Sequence, residues 1–283
     1  MVYGCGGTLI APDVVLVAAH CGDWSERQVI VGAYRLNRVT QGAKLRICTK
    51  WIPDPLCSFT NDGAVHDFAL CKLNEPVDID NSTIRLEINA ESSVPSDDDA
   101  LYTMGFGTTS KDGPVLHNLL DVKVLFVTNE KCNAASSYDG RIKDVMLCAG
   151  ESGMDSCQGD LGGPLVKRTI SNDGNTIVDT LVGVVSWGYG CGDPNFPGVY
   201  SRVSEGFDWI KDTTCTDLQS VAPYCPNNSP EIIPTPPPTK APTKSPTKSP
   251  TKVTTISLSS SDCDDNSKFR TNEKKEEQLR VVY

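Results

Sequence analysis

The apolar residues of this chain cluster in short runs that turn residues separate. Such runs occupy residues 14–17, 29–31, 70–73, 101–106, 122–127, 177–185 and 199–203. Glycine, asparagine, aspartate and proline lie between them, and long stretches of helical periodicity are absent from the sequence. Short strands separated by turns are typical of barrels rather than of α/β folds. The pattern therefore predicts an all-β protein.

One segment departs from the strand pattern. Val203, Phe207 and Ile210 are spaced three to four residues apart, which places them on one face of a helix. Ser204 is a residue type that caps helices. The spacing predicts a short helix over about 204–212.

The chain changes character after Cys225. A cysteine-containing connector spans about 214–233, Pro-Thr-Lys repeats follow over 234–256, and residues 257–283 are polar and charged. Proline fixes φ and removes a donor, so the repeats predict an extended, solvated linker, with an O-glycosylated stalk as the alternative. The last segment is predicted to be a disordered tail or a truncated module.

Charge and cysteine content narrow the classes of function. The formal net charge of −10 over 283 residues argues against a nucleic-acid partner, and no apolar run is long enough to predict a membrane span. Twelve cysteines indicate an oxidising, extracellular compartment. No signal peptide precedes the first apolar segment, so we expect the chain to lack its true beginning.

Six motifs occur in an order that identifies a family. They are Cys-Gly-Gly-Thr-Leu-Ile at residues 5–10, Val-Leu-Val-Ala-Ala-His-Cys at 15–21, Asp-Phe-Ala-Leu at 67–70, Asp-Ser-Cys-Gln-Gly-Asp-Leu-Gly-Gly-Pro at 155–164, Ser-Trp-Gly-Tyr-Gly-Cys at 186–191 and Pro-Gly-Val-Tyr at 197–200. Together they resemble the chymotrypsin-like, trypsin-type serine peptidases. The resemblance runs from residue 4 to about 211.

The resemblance implies a fold. It predicts one domain over 1–213 with two six-stranded antiparallel Greek-key barrels, about 1–95 and 96–203, followed by the helix at 204–212. A polar, breaker-rich stretch at 93–100 would separate the barrels. The first barrel would lack its first strand, which would leave an edge open to association.

The same resemblance assigns catalytic positions. His20 matches the base, Asp67 the residue that orients it, and Leu161 the position of the nucleophilic serine. The backbone amides of Gly159 and Leu161 match the oxyanion hole. Leucine carries no hydroxyl, thiol, amine or carboxylate, so nucleophilic catalysis is predicted to be lost.

A pocket for basic side chains is also implied. Asp155 matches its base, and a charge-assisted bond there would hold Lys or Arg. The other pocket positions are Ser156, Ser186, Trp187, Gly188 and Gly198. The partners expected are polypeptides that present Lys or Arg, or basic inhibitors.

Asp160 matches the aspartate that pairs with a new N-terminal amine on activation of the family. No activation segment precedes it in the sequence. We therefore expect Asp160 to be a buried charge without its partner, which is costly. Neither a cofactor nor a metal is predicted, because the cysteines lack the paired spacing of zinc sites.

Cysteine pairing follows partly from the resemblance. It implies the disulfides Cys5–Cys21, Cys132–Cys148 and Cys157–Cys191. Proximity along the chain suggests Cys48–Cys57 and Cys215–Cys225, with Cys71 as a buried free thiol. Cys263 would be without a partner. Sequons at 81–83 and 227–229 are candidate glycosylation sites.

Three functions fit these residues. The first is a secreted pseudoprotease that binds basic side chains without cutting and acts as a decoy, regulator or adaptor. The second is an active endopeptidase that cleaves after Lys or Arg, with a sequence that is erroneous at residue 161 and truncated. The third is a structural or adhesive display module, associated with a cell wall or matrix through its tail. The first is preferred because Leu161 removes the nucleophile.

Overall fold

The computed structural model describes residues 4–36, 42–78, 84–108, 113–114, 116–171, 174–226 and 280–282. The predicted linker at 234–256, Cys263 and both sequons lie outside these residues.

Strands dominate the described residues, as the sequence pattern predicts. The strands are β1 (Gly6–Ala11), β2 (Val14–Val17), β3 (Gln28–Val31), β4 (Lys44–Pro53), β5 (Ser58–Thr60), β6 (Gly63–Val65), β7 (Ala69–Leu73), β8 (Ile84–Ile88), β9 (Ala100–Gly105), β10 (Leu120–Val127), β11 (Met146–Gly150), β12 (Pro164–Ile170), β13 (Ile177–Trp187), β14 (Gly198–Arg202) and β15 (Arg280–Val282). The α-helices are α1 (Asn129–Cys132) and α2 (Val203–Asp212). A 3-10 turn spans Ala19–Cys21 and a π-helical turn spans Thr213–Asp217.

The strands form two curled sheets. The first is a closed barrel in the order β1-β15-β3-β4-β7-β2, and β5 and β6 form a separate hairpin. The second sheet runs β12-β9-β10-β11-β14-β13-β8 and curls far enough for β12 to pair with β13 as well. The all-β, two-barrel architecture and the short C-terminal helix are confirmed.

The first barrel differs from expectation at the edge predicted to be open. β15 lies between β1 and β3 and pairs with both of them. Residues 280–282, expected in a disordered tail, therefore form a strand. The reason is physical. The backbone N–H and C=O groups at the edges of β1 and β3 need hydrogen-bond partners, and an extended segment supplies them.

The border between the barrels also differs. Residues 84–88 were expected within the first barrel, but β8 pairs in parallel with β13 of the second sheet, from Ile84↔Ile177 to Ile88↔Leu181. The chain thus crosses to the second sheet before the polar stretch at 93–100. That stretch marks a loop rather than the boundary.

The junction of the barrels holds a shared core. Leu16 of β2, Phe68, Val184 of β13 and Ile210 of α2 belong to one buried cluster. Gly206 of α2 packs directly on Phe68: an added Cβ would lie 2.6 Å from Cε2 of the ring. The helix therefore approaches the junction closely because this position has no side chain.

Five disulfides join described residues. The pairs Cys5–Cys21, Cys132–Cys148 and Cys157–Cys191 are those that the resemblance implies, and Cys215–Cys225 is the pair suggested by proximity. The fifth joins Cys48 to Cys71. The expected Cys48–Cys57 bond and the free thiol at Cys71 are therefore wrong, because β4 and β7 are neighbours in the barrel.

The connector after α2 returns to the first barrel. Lys72 donates to the carboxylate of Asp13 at 2.5 Å and to the Leu218 carbonyl at 2.9 Å, and Ser220 also contacts Asp13. Leu218 and Ala222 are buried in the shared core. The described part of the connector, residues 214–226, thus packs against the first barrel. None of the helices within the described ranges has the length and apolar character to cross a lipid bilayer.

We expect Gly206→Ala to lower the free energy of unfolding by about 1–2 kcal/mol, because the new methyl group displaces the buried Phe68 ring. Asp208→Ala on the exposed face of the same helix is the matched control and should change it by less than about 0.5 kcal/mol. Denaturant unfolding measures both. A Gly206→Ala protein more stable than its parent, as helix propensity alone predicts, would contradict the close contact.

Candidate active site

His20 and Asp67 form the central pair of the site. The turn Ala19–Cys21 follows β2 and presents His20, while Asp67 lies just before β7. Nδ1 of His20 is 2.7 Å from Oδ2 of Asp67, and the backbone N–H of His20 donates to Oδ1 at 2.8 Å. Asp67 is fully buried. Two contacts to one carboxylate fix both the backbone and the ring of His20.

The second barrel supplies a further donor to this carboxylate. Oγ of Ser186 on β13 lies 2.5 Å from Oδ2 of Asp67. Ser201 on β14 donates to the Asp67 carbonyl at 3.3 Å. Ser186 is one of the predicted pocket residues, and its hydroxyl bonds to Asp67.

Burial and charge oppose each other at this pair. Burial alone raises the pKa of Asp67, but the charge and hydrogen bonds of His20 and the Ser186 hydroxyl outweigh it and hold the pKa below its usual range. Burial likewise lowers the pKa of His20, and the Asp67 carboxylate outweighs burial so that this pKa is raised. Each of the two groups therefore stabilises the charged form of the other.

Leu161 lies in the turn before β12, against the turn that carries His20. A Cβ on the neighbouring Gly162 would lie 3.3 Å from the backbone N of Ala18 and 3.3 Å from Sγ of Cys21. The Leu161 side chain packs against the core clusters of both barrels. A hydrocarbon thus stands at the barrel junction, next to the His20 turn, and offers no atom that can lose a proton.

Gly159, two residues before Leu161, has a backbone conformation that other residues avoid. Its φ is 101°, and an added Cβ would lie 3.0 Å from Cα of Gly107. Both facts require glycine here. The turn is closed by the Asp160 amide, which donates to the Cys157 carbonyl at 3.0 Å.

The Asp160 side chain is held by backbone amides. Gly107 donates to Oδ1 at 2.8 Å and Cys157 to Oδ2 at 2.9 Å. Burial raises the pKa of Asp160 and these bonds oppose the rise, while no positive charge among the described residues contributes. A cavity of about 240 Å³ adjoins this carboxylate, and Asp155 also lines it.

Room for the Asp160 carboxylate comes from two glycines. A Cβ on Gly105 would lie 1.9 Å from Oδ1 of Asp160, and one on Gly107 would lie 2.5 Å from it. No side chain fits at either position. The motif Gly-Phe-Gly at 105–107 is therefore part of the site, and sequence reasoning missed it because its role depends on a residue far along the chain.

The Asp155 carboxylate lies among backbone amides, and those of Ser156 and Gly198 bond to it. The Gly192 amide donates to Oδ2 at a long 3.4 Å, and Ser156 Oγ is 3.5 Å from Oδ1. The Ser156 hydroxyl also accepts from Tyr200 at 3.1 Å. Burial therefore dominates and raises the pKa of Asp155 to about 7. A Cβ on Gly198 would lie 2.4 Å from Oδ1, so glycine at this position makes room for the carboxylate.

Trp187 and Gly188 follow Ser186 at the end of β13. The Trp187 ring packs edge-on against Tyr138 with centroids 5.2 Å apart, and a Cβ on Gly63 would lie 2.4 Å from Cε2 of Trp187. The hairpin β5–β6 thus lies against the indole. An added Cβ on Gly188 would be 3.8 Å from Cα of Gly198, so these two predicted pocket positions are neighbours.

Comparison of the sequence with known proteins identifies the family of this chain. The sequence model of the Trypsin family matches residues 2–210. The chain belongs to the trypsin family. It is 36% identical over 228 residues to Transmembrane protease serine 5 of Homo sapiens, covering 76% of this chain and 47% of the relative. It is 32% identical over 212 residues to Trypsin 5G1 of Aedes aegypti, covering 74% and 75%.

A third relative of the trypsin-family chain is Transmembrane protease serine 11E of Mus musculus. The identity is 35% over 219 residues, which cover 75% of this chain and 49% of the relative. The chain spans about half the length of the two transmembrane proteases that it matches.

One group of potential metal ligands occurs among the described residues of this trypsin-family chain. Ligand atoms of Cys5, His20 and Cys21 lie within 4.8 Å of one another. The two sulfurs are bonded to each other, so neither is a thiolate. The group is therefore a disulfide beside an imidazole, not a fitting metal site.

Asp67→Asn should lower the pKa of His20 below that of the parent, because burial would then act without the opposing carboxylate. The raised pKa stabilises the fold fully below histidine's ordinary pKa, and this contribution fades as the pH rises through the raised value. Histidine NMR titration measures the shift. Asp208→Asn, on the exposed face of α2, is the control; equal His20 pKa values in the two variants would contradict the coupling.

Proposed function

We propose that this chain is a trypsin-like protease homologue that binds Lys or Arg side chains without cleaving the polypeptide. The observation that carries the proposal is a combination: the His20–Asp67 pair is assembled, while the residue next to it is Leu161. The scaffold of a peptidase is thus joined to a site without a nucleophile. We therefore propose that it binds such polypeptides and acts as a decoy or regulator.

The loss of cleavage follows from the chemistry of acyl transfer. A serine peptidase forms a bond from the serine oxygen to the substrate carbonyl while histidine takes the hydroxyl proton. Leu161 has neither that oxygen nor that proton. We assign the amides of Gly159 and Leu161 to the oxyanion hole, but two donors cannot replace the attacking atom.

Recognition of basic side chains rests on Asp155. Its carboxylate sits beside Gly198, and Gly198 neighbours Gly188. The resemblance assigns all three residues to the pocket for the substrate side chain, and their closeness supports that assignment. The long bonds from Gly192 and Ser156 leave oxygen lone pairs for an incoming cation. Asp155 is therefore proposed as the base of a pocket for Lys and Arg.

Asp160 has a separate proposed role. It lies beside a cavity of about 240 Å³ and has no cationic partner within the described ranges. We propose that this cavity takes an ammonium group, as the resemblance implies, and that pairing with Asp160 would order the turn that carries Gly159 and Leu161.

An active endopeptidase is the alternative function. It is favoured by the complete His20–Asp67–Ser186 arrangement, which other uses of the scaffold do not require. It requires serine rather than leucine at residue 161, and the sequence carries leucine.

We propose an extracellular location. Five disulfides among the described residues are typical of proteins from oxidising compartments. The partners proposed are polypeptides or inhibitors that present a basic side chain.

Benzamidine should bind and raise the melting temperature more strongly at about pH 8 than at about pH 6, because the Asp155 carboxyl, whose pKa is raised to about 7, must be ionised to pair with the amidinium. Each pH unit below that pKa should weaken binding by up to about tenfold. Calorimetric titration at several pH values measures the effect.

Two variants distinguish binding at Asp155 from a general effect of removing a negative charge. Asp155→Asn should abolish the pH-dependent binding, whereas Glu151→Gln, at an exposed acidic residue nearby, should leave it unchanged. Equal benzamidine binding by the parent and by Asp155→Asn would refute the assigned pocket.

A fluorophosphonate probe should not label the parent chain, because the reaction requires an activated hydroxyl and Leu161 has none. Leu161→Ser should gain labelling at residue 161, since the new hydroxyl stands beside the His20 turn. Leu161→Ala is the control that opens the same space without a nucleophile. Labelling of the parent within residues 155–164, mapped by mass spectrometry, would overturn the inactive assignment.

A further inference from the structure

The first barrel contains one strand that does not follow its pattern. β1 with β2, β2 with β7, β7 with β4 and β4 with β3 are all antiparallel pairs. β15 is parallel to both of its neighbours, β1 and β3. All other neighbouring strands of this barrel run in opposite directions. A strand that is parallel to both of its neighbours is placed like a peptide added to the sheet.

The inserted strand is held by backbone pairing and by a buried side chain. Gly6 and Gly7 of β1 pair with Val281 and Val282, and Gly32 donates its amide to the Val282 carbonyl at 3.1 Å. Val282 is fully buried. It packs in the cluster that contains Val15, Val17, Trp24, Val29 and Val31.

The described contacts of this strand are non-covalent. The disulfides that join described residues lie in other segments of the chain. Along the chain, Arg280 is separated from the preceding described residue, Pro226, by residues 227–279. Within the described residues, backbone pairing and the packing of Val282 are therefore what hold this strand in the barrel.

We propose that the groove between β1 and β3 is a reversible β-strand-binding site, and that its occupant is this chain's own C-terminal segment Arg280–Val282. Backbone hydrogen bonds supply affinity in such additions to a sheet, and one side-chain pocket supplies specificity. The ligand class is an extended peptide that runs parallel to β1. The pocket takes a branched aliphatic side chain, which Val282 provides.

Occupancy of the groove is connected to the active-site region through β1. The Gly6 amide donates to the Leu161 carbonyl at 2.7 Å, and Gly6 also pairs with Val281. Cys5, next to it, is bonded to Cys21 of the His20 turn. The C-terminal strand therefore braces the edge of the barrel on which both Leu161 and His20 rest.

The test uses a labelled synthetic peptide of residues 278–283 and two proteins, the full chain and a chain that ends at residue 279. The peptide should bind the shortened chain saturably, and the full chain about tenfold more weakly or less, because the tethered strand competes. A peptide with Val282→Asp should lose binding by roughly tenfold or more, whereas Val282→Ile should retain it. Fluorescence anisotropy measures all four combinations.

Two results would overturn the proposal: no peptide binding by a shortened chain that melts cooperatively, or equal binding by the shortened and full chains. If the shortened chain does not fold, hydrogen exchange decides on the full chain. The Gly32 amide should be protected in the parent and in Val282→Ile and should exchange at least about tenfold faster in Val282→Asp. An unprotected Gly32 amide in the parent, or one that Val282→Asp does not affect, would refute the bound strand.

Discussion

The buried carboxylate of Asp67 is the interaction on which the site depends. It receives the ring and the backbone N–H of His20 from the first barrel and the hydroxyl of Ser186 from the second. A buried charge is tolerated only when partners surround it. The two barrels therefore meet in a way that brings both sets of donors to one residue. The orientation of the imidazole and the relative placement of the barrels are consequences of the same contact.

The junction between the barrels contains both a buried polar cluster and an apolar contact. Asp67 brings polar groups together, and Leu161 packs against the cores of both barrels. The first arrangement suits proton transfer, while the second adds apolar contact between the two barrels. Polar and apolar contacts therefore meet at one junction, and both involve residues from the two barrels.

Features that depend on short stretches of sequence can be predicted, and features that depend on distant strands cannot. Short motifs of adjacent residues determine the local geometry of the His20 turn, of Asp67 and of the turn that contains Leu161. Cys48 is nearer to Cys57 along the chain, yet it pairs with Cys71, since the adjacent strands β4 and β7 bring their Cα atoms to 5.6 Å.

The same reason explains two other differences from the sequence-based expectation. β15 contains only three residues and has no hydrophobic period, so nothing local marks it as a strand. Its conformation depends on the backbone groups of β1 and β3. The glycines 105 and 107 are required because the Asp160 carboxylate occupies the space of their side chains, and that contact spans more than fifty residues of chain.

The position of β15 has a consequence for biosynthesis. Ribosomes deliver a chain from its amino end, and segments that are complete begin to fold as they emerge. β1 and β3 are made early, but the strand between them is the last described element to be translated. The described strands of the second barrel are therefore synthesised before β15, so the pairing that closes the described first barrel is made late.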